Sequence, residues 1–270
     1  MKKWICALCA LLLVACAVSV AMAESADLLA RIQEKGEIVI ATEGDWSPWT
    51  YEDETGALVG FDVEVAEAIA AKLGVKATFV ETPWEGIFAG LNDGRYDIVA
   101  NGVDVTPERA ETYDFSTPYA FQRTALVVRG DNEDIKSFED LAGKSTVNSI
   151  GSTYMELAES YGATATGVST LDLTIENVLS GRADATLNAE LSIYDYLAAR
   201  PDANIKIVAR TTDANNVAIP VRKSTDKEDT STLLAAINAA IEELRADGTL
   251  AGISEKYFGN DITAVSDEAL

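Results

Sequence analysis

Gly94-Arg95-Tyr96-Asp97-Ile98-Val99-Ala100-Asn101 returns 87 residues later as Gly181-Arg182-Ala183-Asp184-Ala185-Thr186-Leu187-Asn188. Both stretches read G-R-x-D-x-x-x-N, and both follow an apolar, helix-like run, residues 86–91 and 174–179. One reading is coincidence within a common helix-turn-strand passage. The other is a repeated architecture of two similar α/β lobes, each the size of a small domain. The surrounding pattern argues for layers of helix and sheet. Residues 37–41 (EIVIA) read as a buried strand. Asp62 then stands as the cap of a helix whose apolar positions, Val63, Ala66, Ile69, Ala70 and Leu73, return at helical spacing until Gly74. Residues 76–80 form the next strand. Thr82-Pro83-Trp84-Glu85 has the form of a capping box with proline at the first helical position. Residues 96–101 are again a strand, and this alternation predicts a largely parallel sheet.

Further along, residues 126–130 (LVVRG) are the expected first crossing between lobes. Residues 213–217 are the expected return, because another strand (217–222) and a long helix (232–246) follow. The predicted fold is α/β, with residues 24–127 and 217–270 as a discontinuous first lobe and 130–213 as the second. Two crossings, near 126–130 and 213–217, would make a two-stranded hinge.

The chain has 270 residues, 21 Lys+Arg against 44 Asp+Glu, and no His. The missing histidine excludes a Ser-His-Asp triad, His-ligated zinc and an imidazole base. All three cysteines, Cys6, Cys9 and Cys16, lie in the first sixteen residues. Met1-Lys2-Lys3, the apolar run 4–20 and Ala21-Met22-Ala23 read as a signal peptide, residues 1–23. A competing reading takes Leu13-Val14-Ala15-Cys16 as a lipobox with a lipidated Cys16. Cleavage after Ala23 leaves 247 residues without a thiol and carries the net charge from −23 to −25. That field repels phosphate backbones and anionic lipid, so nucleic acid is excluded as a partner. No calcium loop or phosphate loop is spelled, and no metal or cofactor is expected.

The polar groups that stand out suit a receptor for something small and charged. Thr106-Pro107-Glu108-Arg109 places a cap, a first-position proline and then Arg109 in the first turn of a short helix. Such a site holds a carboxylate through free amides and a bidentate guanidinium. The alternative is that Arg109 pairs with Asp104, Glu111 or Asp114. Thr153 to Glu156 fits a second capping box, preceded by Gly151 and Ser152. Trp46, Trp49 and Trp84 sit beside prolines, where indoles serve as core or as ligand walls.

Gly60-Phe61-Asp62, Trp84-Glu85-Gly86-Ile87-Phe88, the run NGVDVTPERAETYDFSTPY over 101–119 and the terminal Gly248-Thr249-Leu250…Lys256-Tyr257-Phe258-Gly259 carry a resemblance. The chain resembles the periplasmic family-3 solute-binding proteins of polar amino-acid ABC transporters, across residues 28–262. The resemblance implies a two-lobed type II clamshell that closes on one amino acid and presents it to a membrane permease, as a monomer and without catalysis. Arg109 would take the ligand α-carboxylate, assisted by Ser152 and the Thr153 amide. The Gly102 carbonyl would help hold the ammonium. Trp46 and Trp84 would flank the side chain, and Glu43 would reach its far end. Asn101 and Asn188, the last residues of the two repeats, complete the implied site.

Two positions depart from the family pattern. Relatives commonly place an acid for the ammonium where this chain has Ala189, and a hydroxyl where it has Asp104. Either the ammonium-binding acid has changed lobes to Asp104, which shares a face with Gly102 by the period of two, or Asp104 neutralises Arg109 and the ligand is of another class. The passage Gly151-Ser152-Thr153-Tyr154…Ala158-Glu159-Ser160-Tyr161-Gly162-Ala163 is similar to relatives that take cystine. Two other functions stay open on this fold. One is a carboxylate-dependent dehydratase using Asp104 or Glu190, and the other is a sensor feeding a membrane receptor.

Overall fold

Glu37–Thr42 is an apolar run that no solvent-facing strand can carry: Ile38, Ile40 and Ala41 are fully buried. In the computed structural model, which describes residues 26–264, this strand pairs in parallel with Lys76–Glu81 on one side and Ile98–Val99 on the other. The expectations about the signal segment and Cys16 lie outside the described residues. Helices Leu28–Lys35, Phe61–Lys72, Ser231–Ala246 and Thr249–Phe258 pack against one another, and the first two reach the sheet. Their buried Ile32, Ile69, Leu233, Ile237 and Leu250 form one core, each such side chain contributing about 1.5–3 kcal/mol by burial. Helix Trp84–Asn92 contacts two strands of this sheet and closes a smaller core of Ile87, Leu91, Val99 and Tyr113.

The second sheet runs in the order Thr164–Val168, Ser145–Ser149, Ala185–Ala189, Thr124–Arg129, Ile205–Arg210. Its first three strands are parallel, and Thr124–Arg129 is antiparallel to both neighbours. The three parallel strands repeat the order of the first lobe, and in each a helix separates successive strands. The sequence echo marks this repeat. Asp97 accepts the Val39 N–H (2.9 Å) and donates its own N–H to the Val39 carbonyl (2.8 Å). Asp184 does the same with Ser145, at 2.8 and 3.0 Å. Both stretches turn on a glycine at positive φ, 68° at Gly94 and 72° at Gly181. The duplication is therefore architectural, and coincidence no longer describes it.

Four local readings change. Residues 126–129 do not cross between lobes: they lie inside Thr124–Arg129, fully buried from Thr124 to Val128 in the middle of the second sheet. An apolar run of that kind is stable only when covered on both faces. At the junction, Ala120–Gln122 instead pairs antiparallel with Asn215–Val217. The strand expected at 217–222 is two pieces, Asn215–Val217 and Pro220–Arg222; the second pairs with Tyr113–Phe115. Asp62 is not a cap, since Gly60 holds that position and Asp62 is fully buried. Pro83 rather than Thr82 precedes helix Trp84–Asn92, with no side-chain cap.

Asp97→Ala orphans a strand N–H and should cost about 1–3 kcal/mol in chemical denaturation. Asp184→Ala should cost about 1 kcal/mol, because that carboxylate is exposed and screened. Ser145 hydrogen bonds, the backbone one foremost, hold the Asp184 pKa below its ordinary 3.8. Its stabilisation is thus present above that value and lost as pH falls through the lower folded one, so the Asp184→Ala deficit should shrink in acid.

Candidate functional site

The carboxyl ends of both parallel sheets face one another across a cleft of about 470 Å³. The first lobe lines it with Glu43, Asp45 and Trp46 after strand Glu37–Thr42, with Trp84 at its helix start, with Asn101, Gly102 and Asp104 after Ile98–Val99, and with Arg109. The second lobe contributes Ser149, Ser152, Thr153, Tyr154, Leu171 and Asn188. All ten residues selected from the sequence lie on this one cleft. Asp45, Ser149, Tyr154 and Leu171 were not selected. Ser149 ends a parallel strand and Leu171 starts a helix, and the rule that α/β ligands bind at carboxyl ends of strands pointed to such positions.

Arg109 is placed by its own short helix, Pro107–Thr112, which Thr106 caps by accepting the Arg109 N–H (3.1 Å). Its guanidinium lies over the rings of Trp84 (5.3 Å) and Phe88 (5.2 Å) and donates to the Asp104 carbonyl oxygen (3.0 Å). Among the described residues no ion pair joins it to Asp104, Glu111 or Asp114. Burial pushes its pKa down and the Asp104 charge opposes that shift; a guanidinium stays charged. Across the cleft, helix Thr153–Ser160 is capped by Ser152, whose Oγ accepts the Met155 N–H (3.2 Å). The expected cap at Thr153 is thus one residue late, and the Thr153 hydroxyl is free for other work. The Thr153 and Tyr154 amides find no acceptor among the described residues, so the positive end of this helix faces the cleft.

Asn101 and Glu43 hold each other: the Glu43 N–H donates to Asn101 Oδ1 (2.8 Å) and Asn101 Nδ2 donates to Glu43 Oε2 (2.6 Å). Burial raises the Glu43 pKa to about 7; the Asn101 bond opposes this, and the Asp45 and Glu85 charges add to it. Trp46 stacks on Trp49 at 5.4 Å and donates its Nε1–H to Asn188 Oδ1 (3.1 Å) in the opposite lobe. Trp49 itself is fully buried core. The Trp46 ring lies on Gly102, whose φ is +54° and where an added Cβ would overlap the indole.

Asp62, expected as a helix cap, stands behind this wall, whereas Asp104, one of the ten selected residues, lines it. Asp62 accepts the Gly102 N–H and the Tyr119 hydroxyl (2.6 Å), and burial raises its pKa to about 7. Asp104, 4 % exposed, accepts from Gln122 (2.8 Å), Asn215 (3.1 Å) and, from the opposite lobe, Thr153 Oγ1 (2.7 Å). Burial raises its pKa, against the pull of these donors and of Arg109. Glu190 is outside the cleft, tied to Arg210 (3.0 Å) and Tyr194 (2.9 Å) beside a different groove. It is therefore not placed to act on a molecule in that cleft, and of the two acids named for the dehydratase reading Asp104 alone lines it.

Residues 38–260 match the family model for bacterial extracellular solute-binding proteins, family 3. The L-cystine-binding protein TcyA of Bacillus subtilis is 39% identical over 242 residues, covering 89% of this chain and 88% of that protein. Among solved structures, an ancestral arginine-binding protein bound to arginine has 38% identity and a TM-score of 0.76, covering 83% of this chain and 99% of that one. The L-cystine solute receptor of Neisseria gonorrhoeae, in an unliganded open conformation, has 42% identity but a TM-score of 0.59, covering 88% and 99%. Sequence, clamshell fold and the cleft between its lobes agree: the chain belongs to the family-3 bacterial extracellular solute-binding proteins.

Proposed function

We propose that this chain is the amino-acid-binding component of an ABC importer, exported from the cytoplasm, acting as a monomer and catalysing nothing. Its lobes close on one polar amino acid and present it to the permease. The observation that carries this reading is Arg109. It sits over the rings of Trp84 and Phe88, in no ion pair with an acid among the described residues, across from the free Thr153 and Tyr154 amides of helix Thr153–Ser160. A carboxylate between them gains a bidentate partner from one lobe and a helix terminus from the other. Only the closed form offers both.

A ligand of about ten heavy atoms reaches micromolar affinity only at about 0.8 kcal/mol per atom, which demands near-complete enclosure. Closure about the junction of Ala120–Gln122 and Asn215–Val217 supplies it. Among the described residues, direct hydrogen bonds that span the cleft include Trp46 to Asn188 and Thr153 to Asp104. The higher TM-score to the arginine-bound relative than to the open receptor, despite lower identity, fits a closed arrangement of lobes.

The far end narrows the cargo. Glu43 and Asp45 stand there against no cleft cation, so a ligand with a second cationic nitrogen is favoured. Arginine has one in its guanidinium, and cystine in its second ammonium. Export uses the signal cleaved after Ala23, with lipidation at Cys16 as the alternative; the mass of the mature N-terminus separates them.

A thermal-shift screen against the twenty amino acids and cystine tests the reading. A ligand at one hundred times its Kd adds about 2.7 kcal/mol, or about 5–10 °C. Silence from every α-amino acid, with a response to another carboxylate, would reject it. Arg109→Lys should weaken the responding ligand by at least about tenfold in calorimetry, since the fork and the stacking are both lost. Glu43→Gln tests the far end. The Glu43 pKa rises from 4.5 to about 7 on folding, so the unliganded protein loses stability as pH rises through that window. Glu43→Gln should therefore melt higher than wild type at pH 8, with the gap closing by pH 4.5.

A further inference from the structure

The three carboxylates of the cleft are not equivalent. Glu43 and Asp45 stand at the end built by Asn101, whereas Asp104 adjoins the guanidinium that its own carbonyl oxygen anchors. An amino acid carries its carboxylate and its ammonium on the same carbon. An acid that takes the ammonium must therefore stand beside the cation that takes the carboxylate. Among the described acids that line the cleft, Asp104 is the one that does.

Its hydrogen bonds leave room for one more donor. A carboxylate has about four lone-pair positions. On Asp104, Oδ2 uses two, for Thr153 Oγ1 (2.7 Å) and Asn215 Nδ2 (3.1 Å), and Oδ1 uses one, for Gln122 Nε2 (2.8 Å). The same Gln122 Nε2 reaches the Gly102 carbonyl at 3.4 Å. Gly102 O and Asp104 Oδ1 thus converge closely enough to be served by a single nitrogen. All three side-chain donors on Asp104 are neutral, so its charge is buried without a direct ion pair, a state that a cation from outside relieves.

Among the described residues that line the cleft, none from the opposite lobe is an acid; Glu156 of helix Thr153–Ser160, whose charge Arg109 feels, borders the neighbouring groove instead. Ala189 is fully buried, and Tyr154, which adjoins its backbone, fills the wall. Glu190 turns away to Arg210 and Tyr194. We infer that Asp104, with the Gly102 carbonyl, takes the α-ammonium, so that both charged ends of the ligand are held by the first lobe within residues 102–109. This rests on the amino-acid reading of the cleft and assigns the acid that reading lacks.

The test compares ligands with and without the α-amino group: L-arginine against 5-guanidinopentanoate, and L-cystine against 3,3′-dithiodipropionate, titrated calorimetrically into wild type and Asp104→Asn. The expected result is a loss of about 10- to 150-fold for the amino acid that binds wild type, with less than about a threefold change for its des-amino partner. A loss of packing alone would weaken both ligands equally and overturn the inference, as would unchanged binding of the amino acid. Asp104→Ser, read in the same way, serves if Asp104→Asn does not fold. Glu190→Gln should leave affinity unchanged; a large loss there, with none in Asp104→Asn, would move the ammonium site to Glu190. If wild type binds none of the twenty amino acids nor cystine, the amino-acid reading itself fails and this inference falls with it.

Discussion

The Gly102 amide donates to a carboxylate that has no water to turn to, and the shape of the cleft follows from that bond. Asp62 is fully buried on helix Phe61–Lys72, and its two oxygens are spent on Gly102 and on the Tyr119 hydroxyl. Gly102 is thereby fixed in a left-handed turn that only a residue without Cβ can make beneath Trp46. Its carbonyl faces Gln122, and Gln122 holds Asp104. Asp104 in turn reaches Thr153 in the opposite lobe. One chain of contacts joins a core helix, the junction strand Ala120–Gln122, the wall of the cleft and the partner lobe. Removing an interior member leaves a buried polar group unpaired, which costs more than the bond itself contributes.

The two lobes answer to different demands. Within each, a parallel three-strand unit is locked by an Asp that ties the third strand to the first, Asp97 in one and Asp184 in the other. Between them, hydrogen bonds such as Trp46 to Asn188 and Thr153 to Asp104 cross the cleft directly. Each is worth only about 0.5–1.5 kcal/mol net, so they bias the arrangement of the lobes without fixing it. A ligand that bonds to both walls contributes several such terms at once, and its differential affinity for the closed form decides the population. Rigid lobes and a light latch are what a reversible carrier requires.

How much of this was legible in the sequence follows from the range of each interaction. Thr106, Pro107 and Arg109 lie within four residues, and their capped short helix formed as read. The paired G-R-x-D stretches were legible because the Asp does the same local task twice. Asp62 was misread because an acid at a helix start looks the same whether it caps that helix or serves an amide forty residues away. Thr153 and Ser152 are both capping residues, and only tertiary demand on the Thr153 hydroxyl decides between them. Residues 126–129 read as a crossing on connectivity alone, although a surface linker has no use for three consecutive buried apolar side chains. Tyr154 carried no motif of its own; its place in the wall comes from the position of its helix.

Charge placement separates the two walls chemically. The first lobe carries every ionisable carboxylate of the cleft and its guanidinium, and the second offers hydroxyls, an amide, helix amides and aromatic surface. A zwitterion therefore finds its Coulombic partners on one lobe before the other arrives. In the open form those partners are hydrated and weakly attractive. Closure brings neutral donors and low-dielectric walls, and the same charges then interact far more strongly. On the proposed reading of the cleft, selectivity for the charged backbone and selectivity for its side chain are separable, the first resting on Arg109 and the second on Glu43. On that reading, a change of cargo would need to rebuild only the Glu43 end, while the grip on the common part of every amino acid would stay as it is.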